Sequence, residues 1–399
     1  MNRILTAFFL VVLACFSSYP VQAETGVTAS EITVGMSTVL TGPASFLGTN
    51  FKAGTEAYIQ MVNESGGING RKIRLIAYDD GYEPDKAVTN VNKLLKEDKV
   101  FCLLGNVGTP TVMAIKPILA AEKAPLFAPF TGAESLRNPV IKYILNYRAS
   151  YNQEVEAFIH GMVDVLGHQK IAVFYQEDTY GMAVLEAAKT ALKKRKLALV
   201  GTGTYRRNFE DVSHGLEKIR AARPDAIVMA GTYSACAKFI ISWKQKTAGE
   251  QKSGRDPIFM NVSFVGPEKL AELLGKYGEN VVVTEVVPPY YTYLGGARYP
   301  AVGEYMAAMQ KFSPAAGFSF VSLEGFLAAK VFVEILRRTG NNPTRESFMQ
   351  TAESMNDFDI QVGSRISFSS RNHQGSQMVY PTVIRRNSFY SITDWNVLK

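Results

Sequence analysis

The sequence is poor in the residues that build disulfide frameworks, metal sites and membrane spans. It has three cysteines and four histidines in 399 residues, and none of them stands at metal-ligand spacing. No uncharged apolar run reaches the about 20 residues that a membrane-spanning helix needs. The net charge is a mild +7, and no basic–aromatic motif for nucleic acid occurs. We therefore expect a soluble protein with no bound metal and no nucleic-acid partner.

Sequence signatures of several enzyme classes are also missing. The chain has no Gly-x-Ser-x-Gly elbow, no His-Glu-x-x-His pair and no Gly-x-Gly-x-x-Gly turn after a predicted strand. A phosphate loop ending in Gly-Lys-Ser/Thr is lacking too. We therefore expect no enzyme activity, no catalytic residues and no cofactor. An exported α/β enzyme is the alternative, which a turnover assay would detect.

The N-terminus has the three parts of an export signal. Arg3 supplies a positive charge, residues 4–16 form a short apolar run, and Val21-Gln22-Ala23 fits the small-residue cleavage rule. We predict that residues 1–23 are a signal peptide and that the mature chain is periplasmic. Cys15 loosely resembles a lipoprotein cleavage site, so a lipid anchor through Cys15 is the alternative.

Two cysteines remain after that cleavage. Cys102 lies in an apolar run, and Cys236 lies in a helical pattern. An exported compartment permits a disulfide, but these surroundings predict two free, buried thiols.

Strand and helix patterns alternate along most of the chain. Residues 32–36 alternate as a strand, and apolar residues at helical spacing follow between Phe51 and Val62. The same rhythm restarts near Arg148, and from about Gln361 the pattern is mostly extended and hairpin-like. Such alternation predicts an α/β fold with parallel, doubly wound sheets, and two successive units predict two similar lobes.

Three motifs follow or precede the first predicted strands. Residues 37–43 read Ser-Thr-Val-Leu-Thr-Gly-Pro, residues 63–72 read Asn-Glu-Ser-Gly-Gly-Ile-Asn-Gly-Arg-Lys, and Asp79-Asp80 ends the second strand. At this mutual spacing they resemble the type I periplasmic solute-binding proteins, in particular the leucine/isoleucine/valine-binding family of ABC importers. The resemblance covers essentially the whole mature chain.

The resemblance implies two lobes joined by a three-crossover hinge that closes on a ligand. We place the crossovers near Arg148, Pro288 and Gln361. Lobe 1 is then 24–147 plus 289–360, and lobe 2 is 148–288 plus 361–399. The resemblance also implies a monomer that delivers a small ligand to a membrane permease.

Ligands of open α/β sheets bind outside the carboxyl ends of the strands. In the resembled family, a Ser/Thr-rich loop there binds the ligand carboxylate, and Thr109 matches its serine. A helix start favours anions, although Thr109 could instead be only an N-cap. The next loop, residues 129–133, matches a family turn whose backbone and hydroxyl meet the ligand. The position of that hydroxyl residue is Gly132 here, and the preceding Thr131 carries the hydroxyl instead. The candidate ligand-binding residues are Phe46, Asn106, Thr109, Phe130, Thr131, Gly132, Arg148, Tyr151, Tyr180, Tyr233, Ser263 and Tyr291.

One position departs from the pattern of the amino-acid binders. Their acidic partner for the ligand ammonium corresponds to Ser263, and no aspartate or glutamate occurs in residues 258–267. A buried ammonium without a counter-charge is costly. The ligand could therefore lack an α-amino group, or Asp178 or Glu134 could replace the missing acid. Arg148 could hold a ligand carboxylate or form a structural ion pair at the hinge.

These features predict the substrate-binding protein of an ABC importer. It would capture a hydrophobic, branched-chain-type amino acid or a related small carboxylate between the lobes. An aromatic or aliphatic carboxylate without the amino group is the alternative ligand. A ligand-sensing receptor subunit is the alternative role, which the neighbouring genes would decide.

Overall fold

Strand and helix alternate as the apolar pattern predicts, and the strands form two main sheets. The structure is a computed structural model that describes residues 24–249, 256–291 and 298–399. The predicted signal peptide and Cys15 lie outside the described residues. Within these ranges, no helix is long and apolar enough to cross a membrane.

The first sheet has five parallel strands in the order β2-β1-β3-β4-β5. They are β1 (Glu31–Thr38), β2 (Lys72–Asp79), β3 (Cys102–Leu104), β4 (Leu126–Phe127) and β5 (Ile144–Leu145). The connecting helices are α1 (Ser45–Glu64), α2 (Pro84–Lys96) and α3 (Thr109–Ala121). Because helices cover a parallel sheet on both faces, seven of the eight residues of β1 are buried.

The second sheet has seven strands in the order β14-β13-β10-β9-β8-β6-β7. Its parallel part comprises β6 (Ile171–Gln176), β7 (Gly201–Tyr205), β8 (Ala226–Ala230), β9 (Ile258–Asn261) and β10 (Val281–Glu285). The hairpin of β13 (Tyr380–Arg385) and β14 (Ser388–Ser391) adds antiparallel to β10. The helices are α4 (Tyr151–Ile159), α5 (Thr179–Lys194), α6 (Ser213–Ala222), α7 (Tyr233–Gly249) and α8 (Pro267–Leu274).

After β10 the chain returns to the first sheet. Helices α9 (Pro300–Phe312), α10 (Phe320–Thr339) and α11 (Arg345–Glu353) follow, and then the short antiparallel pair β11 (Phe358–Asp359) and β12 (Arg365–Ile366). Helices α1 and α10 pack at very close range. A Cβ atom at Gly54 would lie 1.8 Å from the Ser322 carbonyl oxygen, and one at Gly325 would lie 2.2 Å from the Phe51 carbonyl oxygen. This contact therefore requires glycine at both positions.

The segments around Asn146 and His373 run side by side between the sheets. The Asn146 amide donates to the His373 carbonyl oxygen at 2.7 Å, and the Ser376 amide donates to the Tyr147 carbonyl oxygen at 2.8 Å. The Phe368 ring packs 6.2 Å from that of Phe127 in β4. These contacts tie residues up to Ser376 to the first sheet. We therefore propose the third crossover after Ser376, C-terminal to the predicted Gln361, and keep those near Arg148 and Pro288.

The two cysteines of the described chain are free and buried, as predicted. Burial raises the pKa of both thiols well above the ordinary value. They therefore behave as small apolar side chains of the two cores.

Candidate functional site

Aromatic side chains from the loops of both sheets meet between the lobes. Phe264, after β9, packs against Phe130, after β4, with ring centroids 5.4 Å apart. Tyr180 at the start of α5 lies 4.7 Å from Phe264, and Tyr151 at the start of α4 lies 5.4 Å from Tyr180. Tyr82, after β2, completes the group at 5.9 Å from Phe264. These five residues, the cleft cluster, are at most 1% exposed. The cleft is therefore closed in this structure.

Tyr82 and Phe264 are the members of the cleft cluster that the sequence reasoning missed. The buried Asp80 carboxylate holds the turn that presents Tyr82, because it accepts from the Ser37 hydroxyl at 2.7 Å and from the Tyr82 amide at 2.9 Å. Burial raises the pKa of Asp80 to about 6. The Tyr82 hydroxyl accepts from Gln176 Nε2 across the cleft at 3.3 Å. The adjacent carboxylates at the end of β2 were the signal for this turn.

Polar contacts also join the two lobes at the edge of the cleft cluster. Arg207 donates to Glu83 and to Asp178, each at 3.0 Å. The amide of Phe46 donates to the Tyr233 hydroxyl at 3.2 Å, and their rings meet edge to face at 6.0 Å. Phe46 and Tyr233 therefore lie at the lobe interface, where the resemblance placed them.

The loops after β3 and β4 are joined by their hydroxyl groups. The Thr109 and Thr131 hydroxyl oxygens are hydrogen-bonded at 2.7 Å, and both residues are buried. The N-cap of α3 is Gly108, with φ at 103°, so the alternative that Thr109 is the N-cap is wrong. Both side-chain amide atoms of Asn106 are buried, with no hydrogen-bond partner among the described residues. The Thr131 hydroxyl, one residue before the position expected from the family, thus forms a single polar cluster with the Thr109 hydroxyl.

Replacing Thr109 by valine removes one hydroxyl from this group at nearly constant shape. If that hydroxyl contacts a ligand carboxylate, the loss should cost about 1.5–3 kcal/mol of binding free energy, or roughly tenfold or more in Kd. Calorimetric titration of Thr109→Val measures this, with the exposed Thr89→Val on α2 as the control. An unchanged Kd in a folded Thr109→Val protein would place the carboxylate elsewhere.

Arg148, which we predicted at a hinge crossover, is fully buried and lies between carboxylates. Its guanidinium nitrogens lie 3.6 Å from Glu154 and 3.5 Å from Glu324, and its guanidinium carbon lies 4.8 Å from the Phe130 ring centroid. Burial disfavours the charged arginine, but Glu324 and Glu154 outweigh burial and raise the pKa of Arg148. The structure therefore contains the ion pair. All three guanidinium nitrogens lack a hydrogen bond to the described residues.

A carboxylate does lie against Ser263, and it comes from α4. The Glu154 carboxylate accepts from the Ser263 amide at 2.7 Å, the Ser263 hydroxyl at 3.0 Å and the Thr284 hydroxyl at 2.5 Å. Burial, only partly offset by Arg148 and these donors, raises its pKa. Glu154 is therefore the acid that lies beside Ser263. A role of Asp178 or Glu134 as the partner of a ligand ammonium stays a prediction. Glu154 is three residues from Tyr151 in α4, so the two side chains share one helix face. This spacing in the sequence could have indicated that Glu154 lies near the site.

Tyr291 is the predicted site residue that the structure does not bring to the cleft cluster. Its ring packs against Tyr290 at 5.6 Å, Phe320 at 5.8 Å and Phe389 at 6.2 Å, beside β14. Gly132, by contrast, is at the cleft, because its carbonyl oxygen accepts from the Tyr151 amide at 2.7 Å. The other predicted residues therefore lie in or beside the cleft, and Tyr291 lies at a second location.

Comparison with known proteins agrees with this architecture. The sequence profile of the family described as periplasmic binding protein matches residues 31–388. A possible leucine/isoleucine/valine-binding protein from Rhodopirellula baltica SH 1 is 34% identical, with a TM-score of 0.86 over 93% of this chain and 98% of that chain.

Two further structures share the fold at 20% identity. One is a branched chain amino acid ABC transporter protein from Thermus thermophilus with bound valine, with a TM-score of 0.80 over 92% of this chain and 97% of that chain. The other is a fatty acid ABC transporter substrate-binding protein from Thermomonospora curvata, with a TM-score of 0.79 over 93% of each chain. The chain therefore belongs to the periplasmic binding protein family, whose members bind solutes and are not catalysts.

Proposed function

We propose that this protein is the substrate-binding component of an ABC importer and binds a hydrophobic, branched-chain-type amino acid between its lobes. A membrane permease is then its partner, and the likeness to leucine/isoleucine/valine-binding proteins supports this role. A sensing receptor would use the same cleft, and the genes beside this one would distinguish the two roles.

The observation that carries the proposal is the set of buried polar atoms around the cleft cluster that lack a hydrogen-bond partner among the described residues. They are the side-chain amide of Asn106, the hydroxyl of Tyr151 and the guanidinium of Arg148, counted over the described residues. Buried polar groups are nearly always hydrogen-bonded, and ligand sites combine apolar walls with a few convergent polar groups. A small polar ligand among aromatic rings would supply the missing partners.

The charges around the cleft cluster favour a ligand with both an acidic and a basic end. Asn106, Thr109 and the start of α3 offer donors to a carboxylate. Three buried acids, Glu154, Glu285 and Glu324, lie near the buried arginines Arg148 and Arg137 and outnumber them. A ligand ammonium would reduce this excess of negative charge, and the aromatic rings would cover an apolar side chain.

A carboxylate without an amino group is the second candidate, and the saturation of Glu154 favours it. Three hydrogen bonds and Arg148 already engage the Glu154 carboxylate. A carboxylate has about four acceptor positions. Little acceptor capacity is therefore left at Glu154 for an ammonium group.

A thermal-shift screen with paired ligands separates the two candidates. Leucine, isoleucine and valine are each compared with their 2-oxo and desamino analogues on the mature protein. A ligand present at 100 times its Kd stabilises the folded state by about 2.7 kcal/mol, so we expect a clear shift with the amino acids and a small one with the analogues. Equal or larger shifts with the analogues would make the deaminated carboxylate the ligand class.

We further propose that the protein is exported to the periplasm and cleaved after Ala23. The export signal and the family support this location. N-terminal sequencing of the exported protein should begin at Glu24. A lipidated Cys15 at the N-terminus would instead establish a membrane anchor.

A further inference from the structure

A second pocket lies beside α8 and the β13–β14 hairpin. Its volume is about 860 Å³, and it shares no lining residue with the cleft cluster. The location explains why Tyr291 is absent from the cleft, since Tyr291 is one of its walls. The lining residues are Glu268, Ala271, Glu272, Tyr290, Tyr291, Asn387, Ser388, Phe389, Tyr390 and Ser391.

Aromatic rings form much of the wall. The Tyr290 and Tyr291 rings meet at 80° with centroids 5.6 Å apart, and Tyr291 lies 6.2 Å from Phe389. The Phe320 ring packs behind them, at 5.2 Å from Tyr290 and 5.5 Å from Phe389. Tyr390 also lines the pocket, although half of its surface is exposed. Rings held at steep angles to one another present π faces to a ligand from more than one side.

The pocket is also acidic, with no lysine, arginine or histidine among the lining residues that the structure describes. Glu268 Oε1 accepts from the Phe320 amide at 2.7 Å and from the Tyr290 hydroxyl at 3.0 Å. Glu268 Oε2 is buried and has no hydrogen-bond partner in the described part of the chain. Burial raises the pKa of Glu268 to about 7. The second acid, Glu272, is mostly exposed and pairs with Lys269, so Glu268 is the uncompensated group.

We propose that this pocket is a second ligand site and that it takes a small organic ammonium cation. A cation favours the ionised form of Glu268 and an anion disfavours it, whereas a neutral apolar molecule would leave that carboxyl group without a partner. An ammonium group with apolar substituents pairs with the carboxylate and lies against the tyrosine and phenylalanine faces, which attract cations. The site shares no lining residue with the cleft cluster, so its occupancy can be tested apart from that of the cleft.

The test uses choline and its neutral isostere 3,3-dimethyl-1-butanol as probes on the full mature protein. Titration calorimetry should detect choline binding and no binding of the neutral alcohol. Glu268→Gln keeps the side-chain volume, and it should weaken choline binding about tenfold or more. Tyr390→Leu, at a half-exposed wall, should weaken it by a smaller factor. The exposed Glu346→Gln on α11 and the cleft variant Asn106→Ala should leave the choline Kd unchanged.

Several results would overturn the proposal. Equal binding of choline and the neutral alcohol would show an apolar pocket that does not select charge. An unchanged choline Kd in folded Glu268→Gln protein, or loss of choline binding in Asn106→Ala, would place the cation outside this pocket. Absence of choline binding to the wild-type protein would remove the site, without any effect on the function proposed for the cleft.

Discussion

Arg148→Met should lower the free energy of unfolding by about 3–5 kcal/mol, the usual cost of removing one partner from a buried ion pair. The substitution keeps an unbranched side chain over the Phe130 ring but removes the charge between Glu154 and Glu324. The two buried carboxylates then lose the cation with which they are paired. Urea unfolding followed by circular dichroism measures the difference.

The loss in Arg148→Met should depend on pH. In the wild-type protein burial raises the pKa of Glu324 to about 7, and Arg148 opposes this rise. Without Arg148 the folded-state pKa of Glu324 and Glu154 rises further. A carboxyl group whose pKa is higher in the folded than in the unfolded protein binds its proton more tightly in the folded state. Its contribution to stability is therefore complete below the unfolded-state pKa and is lost as the pH increases through the folded-state pKa. The deficit should therefore be larger at pH 8 than at pH 5.

Arg365→Met is the matched control, because Arg365 also lies between two carboxylates, Asp357 and Asp359. Its side chain is 55% exposed, whereas Arg148 is 0% exposed. Exposed pairs contribute only about 0–1 kcal/mol, so the control should unfold almost like the wild type at both pH values. An Arg148→Met protein as stable as this control would show that the hinge acids are protonated and need no cation.

Phe264→Ala should weaken ligand binding by up to about 100-fold, since removing a buried phenylalanine ring costs about 3 kcal/mol or more and the part of that burial made on closure is lost. Phe264 contacts Phe130 and Tyr82 from the loops of the first sheet and Tyr180 from its own sheet. Its loss opens a void between the lobes in the closed state, while the open state loses less. Calorimetry with the ligand identified by the thermal-shift screen gives Kd. Small-angle scattering should show a smaller decrease in the radius of gyration at saturating ligand than in the wild type.

Phe259→Ala provides the control, because Phe259 lies in β9 and Phe264 lies in the loop that follows this strand. The Phe259 ring packs against Phe239 and Trp243, within the second sheet and its helices. Removal of the Phe259 ring should lower the free energy of unfolding by about 3–5 kcal/mol. It should leave Kd nearly unchanged, because neither ring that packs against Phe259 belongs to the cleft cluster. If both variants bind equally well, the interface around Phe264 does not belong to the binding-competent closed state.

Local sequence patterns predicted the α/β class and the mainly parallel sheets, and the structure brings together the loops that carry most of the candidate site residues. Apolar periodicity reports which face of a strand or helix is buried, and loops after parallel strands necessarily gather at one edge of a sheet. Thr109 and Thr131 were therefore predictable neighbours, although they are 22 residues apart. The third crossover, predicted near Gln361 and proposed here after Ser376, depends on contacts of residues 373–376 with Asn146 and Tyr147, which lie far away in sequence.

By itself, the sequence determined the alternation of strands and helices, the loops that can bear a site and the lack of an acid at Ser263. Only the tertiary structure decided that Glu154 from α4 lies at that serine, that Arg148 is balanced by Glu324 from α10, and that Tyr291 belongs to another pocket. The physical reason is that charge and ring contacts between distant elements depend on how helices pack onto sheets. A local pattern records that an element is buried, but it does not record which element covers it.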